Sequence, residues 1–267
     1  MQTNIDVGHG PEFSLSVSRA LRILSSFSSD NPEWGLADLS RAMSLSKGSV
    51  GRFLQALEMH GYVDRDPETK LYRPGPETAR VGSLYRSAGR LRQLAIPIMR
   101  ELVQRVGFTS YISELRDDQM LILAALEGPG PIKYTIPVGT RLPVHSTATG
   151  QTALAQLTVE QVDDIIKRAG LSADTRFTVT SRAALLKRLA EVRAKGYSTN
   201  WEERTLGVGS VAAPVKAADG SPLCVLSVGF ATSQIKREQV GSLGRDIKAA
   251  AKQLTTAAAA KGITRVE

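Results

Sequence analysis

Three neighbouring polar residues, His145, Ser146 and Thr147 in "RLPVHSTATGQTALAQL", are the first place in this chain to look for chemistry. A hydrolytic site needs a nucleophile, a base within hydrogen-bonding distance and a third group that orients the base. Consecutive residues on a loop do not turn their side chains to one point, and no partner carboxylate is evident. The sequence has no G-x-S-x-G elbow, no phosphate-binding glycine loop and no paired catalytic carboxylates. Cys224 is the only cysteine, and His9, His60 and His145 are scattered, so neither a disulfide nor a cysteine or histidine metal cluster is expected. The reading is of no catalytic residues, no cofactor and no metal, and not of an enzyme. "HSTATG" instead suits a helix start whose N–H groups face a carboxylate or another small anion. An ordinary helix N-terminus is the plain alternative.

A second set of residues carries charge rather than reactivity. In "LSKGSVGRFLQALEMHGYVDRDPETKLYRPGP", Leu45 to Pro76, a helix start is followed by a hairpin decorated with Arg65, Lys70 and Arg73. Ser46 is the expected N-cap and Gly61 the C-terminal stop. Val50, Phe53, Leu54 and Leu57 line one face of that helix, and Lys47, Ser49, Arg52 and Gln55 lie mostly off it. Two helices precede it. One is "SVSRALRILSSF", with Val17, Ala20, Leu21, Leu24 and Phe27 at helical spacing, and the other is "LADLSRAM", which carries Arg41. Three helices and a hairpin in so short a span outline a winged helix-turn-helix. Its third helix can enter a major groove roughly 12 Å wide, while the hairpin holds flanking phosphates. The candidate DNA contacts are Arg41, Lys47, Ser49, Arg52, Gln55, Lys70 and Arg73. A small three-helix module for protein contacts, its polar face merely solvated, is the alternative.

The charge distribution leaves that choice open. The 267 residues carry a formal net charge of +8, but residues 1–75 hold eight Lys/Arg and nine Asp/Glu, a net −1. A nucleic-acid argument therefore rests on which face the cations occupy, not on the total. The start of the chain has neither the basic nor the apolar region of a secretory signal, and no run approaches the roughly 18 apolar residues of a membrane span. The chain is read as soluble and cytoplasmic.

Beyond the Pro-Gly-Pro break at 74–76, an Arg-rich stretch interrupted by Pro97 predicts two helices, over about 77–93 and 95–107. The period then changes. "FTSYISELR", "QMLILAALE" and "PIKYTIPVG" read as strands, "VEQVDDIIKRAG" and "SRAALLKRLAEVRAKG" as amphipathic helices, and "YSTNW", "VGSVAAPVKA" and "PLCVLSVGFA" as strands. The stretch from Gln234 to the alanine tail closes the chain as a helix. The class is α+β, with an antiparallel sheet flanked by helices.

Four blocks now make a resemblance specific. "SRALRILSSF", the Leu45–Pro76 stretch, "GTRLPVHSTATGQTALA" and "GYSTNWEERTLGVGSVAAPV" fall in the order and spacing of IclR-type bacterial transcriptional regulators, over about residues 14–260. The family signature lies in Gly196–Val215: Gly196, Asn200, Glu203, Ser210 and Val211. The resemblance implies an N-terminal tail over 1–13, taken as disordered, a winged helix-turn-helix over 14–76, a linker helix over 77–93 and a GAF-like effector-binding domain over 94–267. It also implies double-stranded operator DNA, a small-molecule effector and homodimers or homotetramers. The first helix and the connector, with Leu84 and Tyr85, are the expected pairing surfaces. Carried over by position, the effector pocket takes Ala148, Thr149, Asn200, Ser210 and Ser227, with an apolar wall of Tyr134, Leu142 and Val208. The signature usually has Asp or Ser where this chain has Asn200, a cysteine is frequent at Ser210, and a larger residue is common at Gly51. The implied function is a ligand-responsive regulator sensing a small apolar or aromatic acid-like metabolite. A metabolite sensor that does not bind DNA is the alternative.

Overall fold

The computed structural model describes residues 14–28, 31–130 and 132–264, and the tail expected over 1–13 lies outside them. The chain divides at Gly89 into two compact units. In the first, α1 (Leu15–Ser25), α2 (Leu36–Met43) and α3 (Lys47–Met59) are followed by the hairpin β1 (Val63–Arg65) and β2 (Tyr72–Pro74), then by α4 (Pro76–Ala88). Ser14 and Ser46 cap α1 and α3 by accepting the backbone N–H groups of Val17 and Ser49. Gly61 stops α3 in the left-handed conformation at φ +71°, which lets the Tyr62 N–H return to the Leu57 carbonyl at 2.9 Å. Ile23, Leu39, Met43, Val50, Leu54, Val63 and Tyr72 form the core. The first helix departs from expectation. Val17 and Leu21 are 56% and 57% exposed, and the core is met instead by Ile23, with Leu24 and Phe27 half-buried beside it.

The second unit begins with α5 (Arg90–Val106). The helix expected over 77–93 thus ends at Ala88, and the break falls at Gly89, in extended backbone, rather than at Pro97. Pro97 is carried inside α5 because the stripe Leu91, Ala95, Met99 and Leu102 is buried, and that burial offsets one missing helical hydrogen bond. Next come β3 (Thr109–Arg116), β4 (Gln119–Leu126), β5 (Arg141–Pro143), α6 (Ala148–Leu154), α7 (Val159–Ala169) and α8 (Arg182–Lys195). The chain closes with β6 (Ser198–Trp201), β7 (Val208–Lys216), β8 (Pro222–Ala231) and α9 (Val240–Ala260). All pairings are antiparallel, in the order β5-β4-β3-β8-β7-β6. Both faces of this sheet are covered. Ile112, Leu226, Val228 and Phe230 point to α5 and α9, while Tyr111, Ala212 and Val225 point to the layer containing α6 and α8. The strand period of two assigns them so.

Two further expectations are corrected here. Residues 132–139 of the expected third strand form no ladder, and the strand is β5, further on. Pro137 has no N–H to give to a sheet, and the Tyr134 carbonyl and Ile136 N–H are held instead by the Tyr111 hydroxyl, at 2.5 and 3.2 Å. The closing helix starts at Val240, after two 3₁₀ turns at Thr232–Gln234 and Arg237–Gln239, not at Gln234.

A paired substitution tests the packing. A Cβ added at Gly150 would stand 2.2 Å from the Val144 carbonyl oxygen, whereas one added at Gly51 meets nothing within 4 Å. Gly150→Ala is expected to cost about 1–3 kcal/mol through overpacking. Gly51→Ala is expected to stabilise the chain by up to about 1 kcal/mol through helix propensity. Urea melts of the two full-length variants should move in opposite directions.

Candidate functional sites: a helix–hairpin face and a cavity in the second unit

On α3 the buried positions Val50 and Leu54 fix the opposite face. Gly48, Arg52, Gln55 and Met59, spaced by three and four residues, lie there and are exposed. Lys47 is exposed at the helix start, and Ser49 is half-buried, with its hydroxyl accepting from Ser46 at 3.0 Å. Arg41, at the end of α2, is exposed and paired with Asp38. The hairpin turn is built by Asp66, whose carboxylate accepts the N–H groups of Glu68 and Thr69 at 2.9 and 2.8 Å. Those backbone hydrogen bonds hold its carboxyl below the usual range. Lys70 takes the left-handed conformation at φ +60° and its ammonium reaches the Pro67 carbonyl. Arg73 is exposed on β2, and the Arg65 guanidinium covers the Tyr72 ring at 5.4 Å.

The second unit holds a partly open cavity between the sheet, the loop 132–139 and the start of α6, with about 40 Å³ of free space. β7 and β8 contribute Val208, Ser210, Ser227, Val228 and Gly229; β3 and β4 contribute Tyr111 and Ile122; β5 contributes Leu142. Tyr134, Ile136, Thr147, Thr149, Asn200, Arg204 and Thr205 complete the lining. Seven of the eight positions expected from the sequence therefore meet at one place: Tyr134, Leu142, Thr149, Asn200, Val208, Ser210 and Ser227. Ala148 does not. Successive helical residues are about 100° apart, so turning Thr149 toward the cavity turns Ala148 into the core, where it is fully buried. Thr147 takes the place beside Thr149. Arg204 went unread in the sequence because it follows the signature Glu203 directly, and nothing in its spacing distinguishes it from a solvated cation.

Hydrogen bonds fix the walls. Asn200 donates to the Ser146 carbonyl at 2.6 Å and accepts from the Glu203 N–H at 3.2 Å, so both ends of its amide tie backbone together. Glu203 is buried; Arg188 lies 2.9 Å from one carboxylate oxygen and Gln151 donates to the other at 2.9 Å. Gln151 also donates to the His145 carbonyl at 2.9 Å and accepts from Ser198 at 3.0 Å. Ser146 Oγ donates to Asp174 at 2.6 Å, and His145 Nε2 lies 2.8 Å from the Ser172 carbonyl. The serine hydroxyl is thus spent on a carboxylate and the imidazole on a backbone oxygen, which leaves no serine–histidine couple. Thr147 Oγ1 accepts the Gly150 N–H at 3.1 Å and caps a helix of only 7 residues. Burial pushes the Tyr111 phenol well above its usual range, and burial also raises that of Tyr134, against the opposing effects of Thr205 and the Arg204 charge. Among the described residues no group of acidic, histidine or cysteine side chains could hold a metal ion, and no helix is long and apolar enough to cross a membrane.

A winged helix-turn-helix unit joined to a cavity-bearing α+β unit defines the class of regulators that pair a DNA-binding part with a second, GAF-like part. The family model "IclR helix-turn-helix domain" matches residues 16–67, and "Bacterial transcriptional regulator IclR C-terminal" matches residues 84–256. The chain belongs to the IclR family and is a DNA-binding transcriptional regulator. The HTH-type transcriptional regulator XynR of Escherichia coli K12 is 32% identical over 243 residues, covering 91% of this chain and 96% of that protein. The acetate operon repressor of Salmonella typhimurium LT2 is 30% identical over 244 residues, covering 91% of this chain and 89% of that protein. An IclR transcriptional regulator from Alicyclobacillus acidocaldarius has the same fold, with a TM-score of 0.81, 26% identity and coverage of 92% of this chain and 99% of that one. These relatives are named as regulators and repressors, not enzymes, and the protein-contact reading of the winged helix is set aside.

The Tyr111 hydroxyl is the strut that holds one cavity wall. Tyr111→Phe keeps the ring but leaves the Tyr134 carbonyl and the Ile136 N–H without their partner. A loss of about 1–3 kcal/mol is expected. Native-state hydrogen exchange should speed up at the Ile136 amide and remain unchanged in β7 and β8. Unchanged protection at Ile136 would show that the loop is held by other contacts.

Proposed function

We propose that the exposed face of α3 reads base edges of a pseudo-palindromic operator through Arg52 and Gln55, with Lys47 and Ser49 beside them. Arg41, Lys70 and Arg73 hold backbone phosphates. The DNA-binding part is taken as residues 14–76 and the sensing part as 94–267. The cavity is the effector site, lined by Tyr134, Leu142, Thr149, Val208, Ser210 and Ser227, with Asn200 shaping it rather than being free to bind. The observation that carries this reading is the lining itself. It is mostly apolar, with several hydroxyl donors and no Asp or Glu. Such a cavity suits a small acid with an apolar body, or its neutral relative. Regulation requires the effector to bind the DNA-competent and DNA-incompetent states unequally.

The expected assembly is a dimer or tetramer. A lone winged helix reads one half-site, and a dimer sets two recognition helices about 34 Å apart, or a multiple of it. Leu15, Val17 and Leu21 leave α1 with three large apolar side chains more than half exposed, and this is the surface we assign to pairing. Leu84 on α4 is also exposed, whereas the Tyr85 side chain lies outside the described residues.

An operator selected from random-sequence duplexes by the parent protein gives the test. Arg52→Ala should lose about 1–3 kcal/mol of operator affinity and relax preference at one base pair. Arg73→Ala should weaken binding to all sequences alike and flatten the salt slope by about one unit. Unchanged affinity and base preference in Arg52→Ala would remove α3 from the groove. Light scattering of the parent without DNA should report a dimer or tetramer, and Leu21→Glu should shift it toward monomer. A strictly monomeric parent at micromolar concentration sinks the pairing surface.

A further inference from the structure

Arg204 is the only Lys or Arg among the residues that line the cavity, and no Asp or Glu lines it. Its counterion stands outside the lining: Asp174 Oδ1 lies 2.7 Å from Arg204 Nη1. Asp174 has a second attachment, since its Oδ2 accepts from the Ser146 hydroxyl at 2.6 Å. The pair is not sealed off. Arg204 keeps 40% of its side chain exposed, so water and a second anion can reach the guanidinium, while Asp174, at 17%, keeps the Ser146 hydroxyl if it yields part of that guanidinium. A guanidinium offers five N–H donors in a planar fork, more than this one carboxylate oxygen engages. Ser210 and Ser227 present hydroxyls to the same cavity.

We propose that Arg204 recognises the anionic end of the effector, and that the effector carboxylate competes with Asp174 for it. The inference rests on the cavity being the effector site. A monocarboxylate enters with its head toward Arg204 and its apolar body toward Leu142 and Val208. The absence of any lining carboxylate means that the bound anion meets no like charge. Asp174 sets the affinity from outside: it holds Arg204 in place when the cavity is empty, and it must yield part of the guanidinium when the cavity fills. Arg204 is thereby the residue that separates an acid from its neutral isostere, a distinction the hydroxyls, which serve both, do not make.

Calorimetry on the full-length chain tests this, with butyrate against butyramide and benzoate against benzamide as probes up to their solubility limits. The parent should bind at least one acid roughly tenfold or more tighter than its amide, the size of a charge-assisted hydrogen bond partly screened by solvent. Arg204→Gln should erase that preference. Asp174→Asn should raise the affinity of the acid and leave that of the amide unchanged, because the competing anion has gone. If Arg204→Gln unfolds through a stranded Asp174, the double variant Arg204→Gln/Asp174→Asn removes both charges together and carries the same expectation. Equal binding, or no binding, of acid and amide by the parent overturns the proposal, as does a preference that survives loss of Arg204. Anisotropy on the selected operator separates this from the reading beneath it. An Arg204-dependent preference with operator affinity unmoved by the acid sinks the effector-site assignment. Operator affinity moved equally by acid and amide keeps that assignment and sinks the role of Arg204.

Discussion

The buried carboxylate of Glu203 constrains much of the second unit. A charge removed from water is tolerated only when paired and hydrogen-bonded on all sides. Here Arg188 takes one oxygen and Gln151 the other, and Gln151 is in turn fixed by the His145 carbonyl and Ser198. The Glu203 N–H is held by Asn200, which also grips the Ser146 carbonyl. One ion pair thus draws the loop before α6, the edge strand β6 and helix α8 into a single satisfied network. Losing a partner would leave an uncompensated buried charge, a penalty of about 3–5 kcal/mol in comparable pairs. The cavity is what remains between this network and the sheet.

The opposite wall depends on a different rule. β8 lies at the middle of the sheet and is buried on both faces, so its alternation sends Leu226, Val228 and Phe230 to one core and leaves Ser227 and Gly229 for the other side. Gly229 leaves room there for the Tyr134 ring, since a Cβ would come within 3.0 Å of it. Tyr134 is carried on a loop without a ladder, and the Tyr111 hydroxyl replaces the ladder by pairing with two backbone groups of that loop. Network, strand alternation and tyrosine strut enclose one small volume whose remaining polar groups are hydroxyls and a single guanidinium.

Much of this was legible in the sequence, for reasons that can be named. Ser46, Gly61 and the Val50–Leu54 stripe announce α3, because capping and helical period are local properties. Five of the cavity positions, Leu142, Thr149, Asn200, Val208 and Ser210, could be placed because the segments 142–149 and 200–210 travel as blocks, and Tyr134 and Ser227 came only from the family resemblance. What could not be read was decided by contacts distant in sequence. The stretch 132–139 has a strand-like composition, yet two of its backbone groups are held by a side chain on β3 rather than by a ladder. Val17 and Leu21 sit at helical spacing, yet the core touches the neighbouring stripe through Ile23. Ala148 is the first residue of α6 and Thr147 its extended N-cap, and only the docking of α6 against the Val144 carbonyl chooses between them. Arg204 is one cation among 34 Lys and Arg, and its location on the cavity lining appears only when Asp174, 30 residues earlier, is brought to it.

The glycines of α3 show local and global demands diverging in the other direction. Gly48 and Gly51 each weaken the helix by up to about 1 kcal/mol relative to alanine, and neither is needed for packing, because a Cβ at either meets nothing within 4 Å. Neither has a positive φ that would require glycine. Stability within the described unit therefore gives no reason for them. They fall near the start of the helix, Gly48 on the uncovered face with Arg52 and Gln55 and Gly51 half-buried at its margin, and the missing side chains leave the backbone barer there. A helix surface shaped this way is poorer in its own stability and more open to close approach. That is the combination expected where folding is not the requirement that chose the residues.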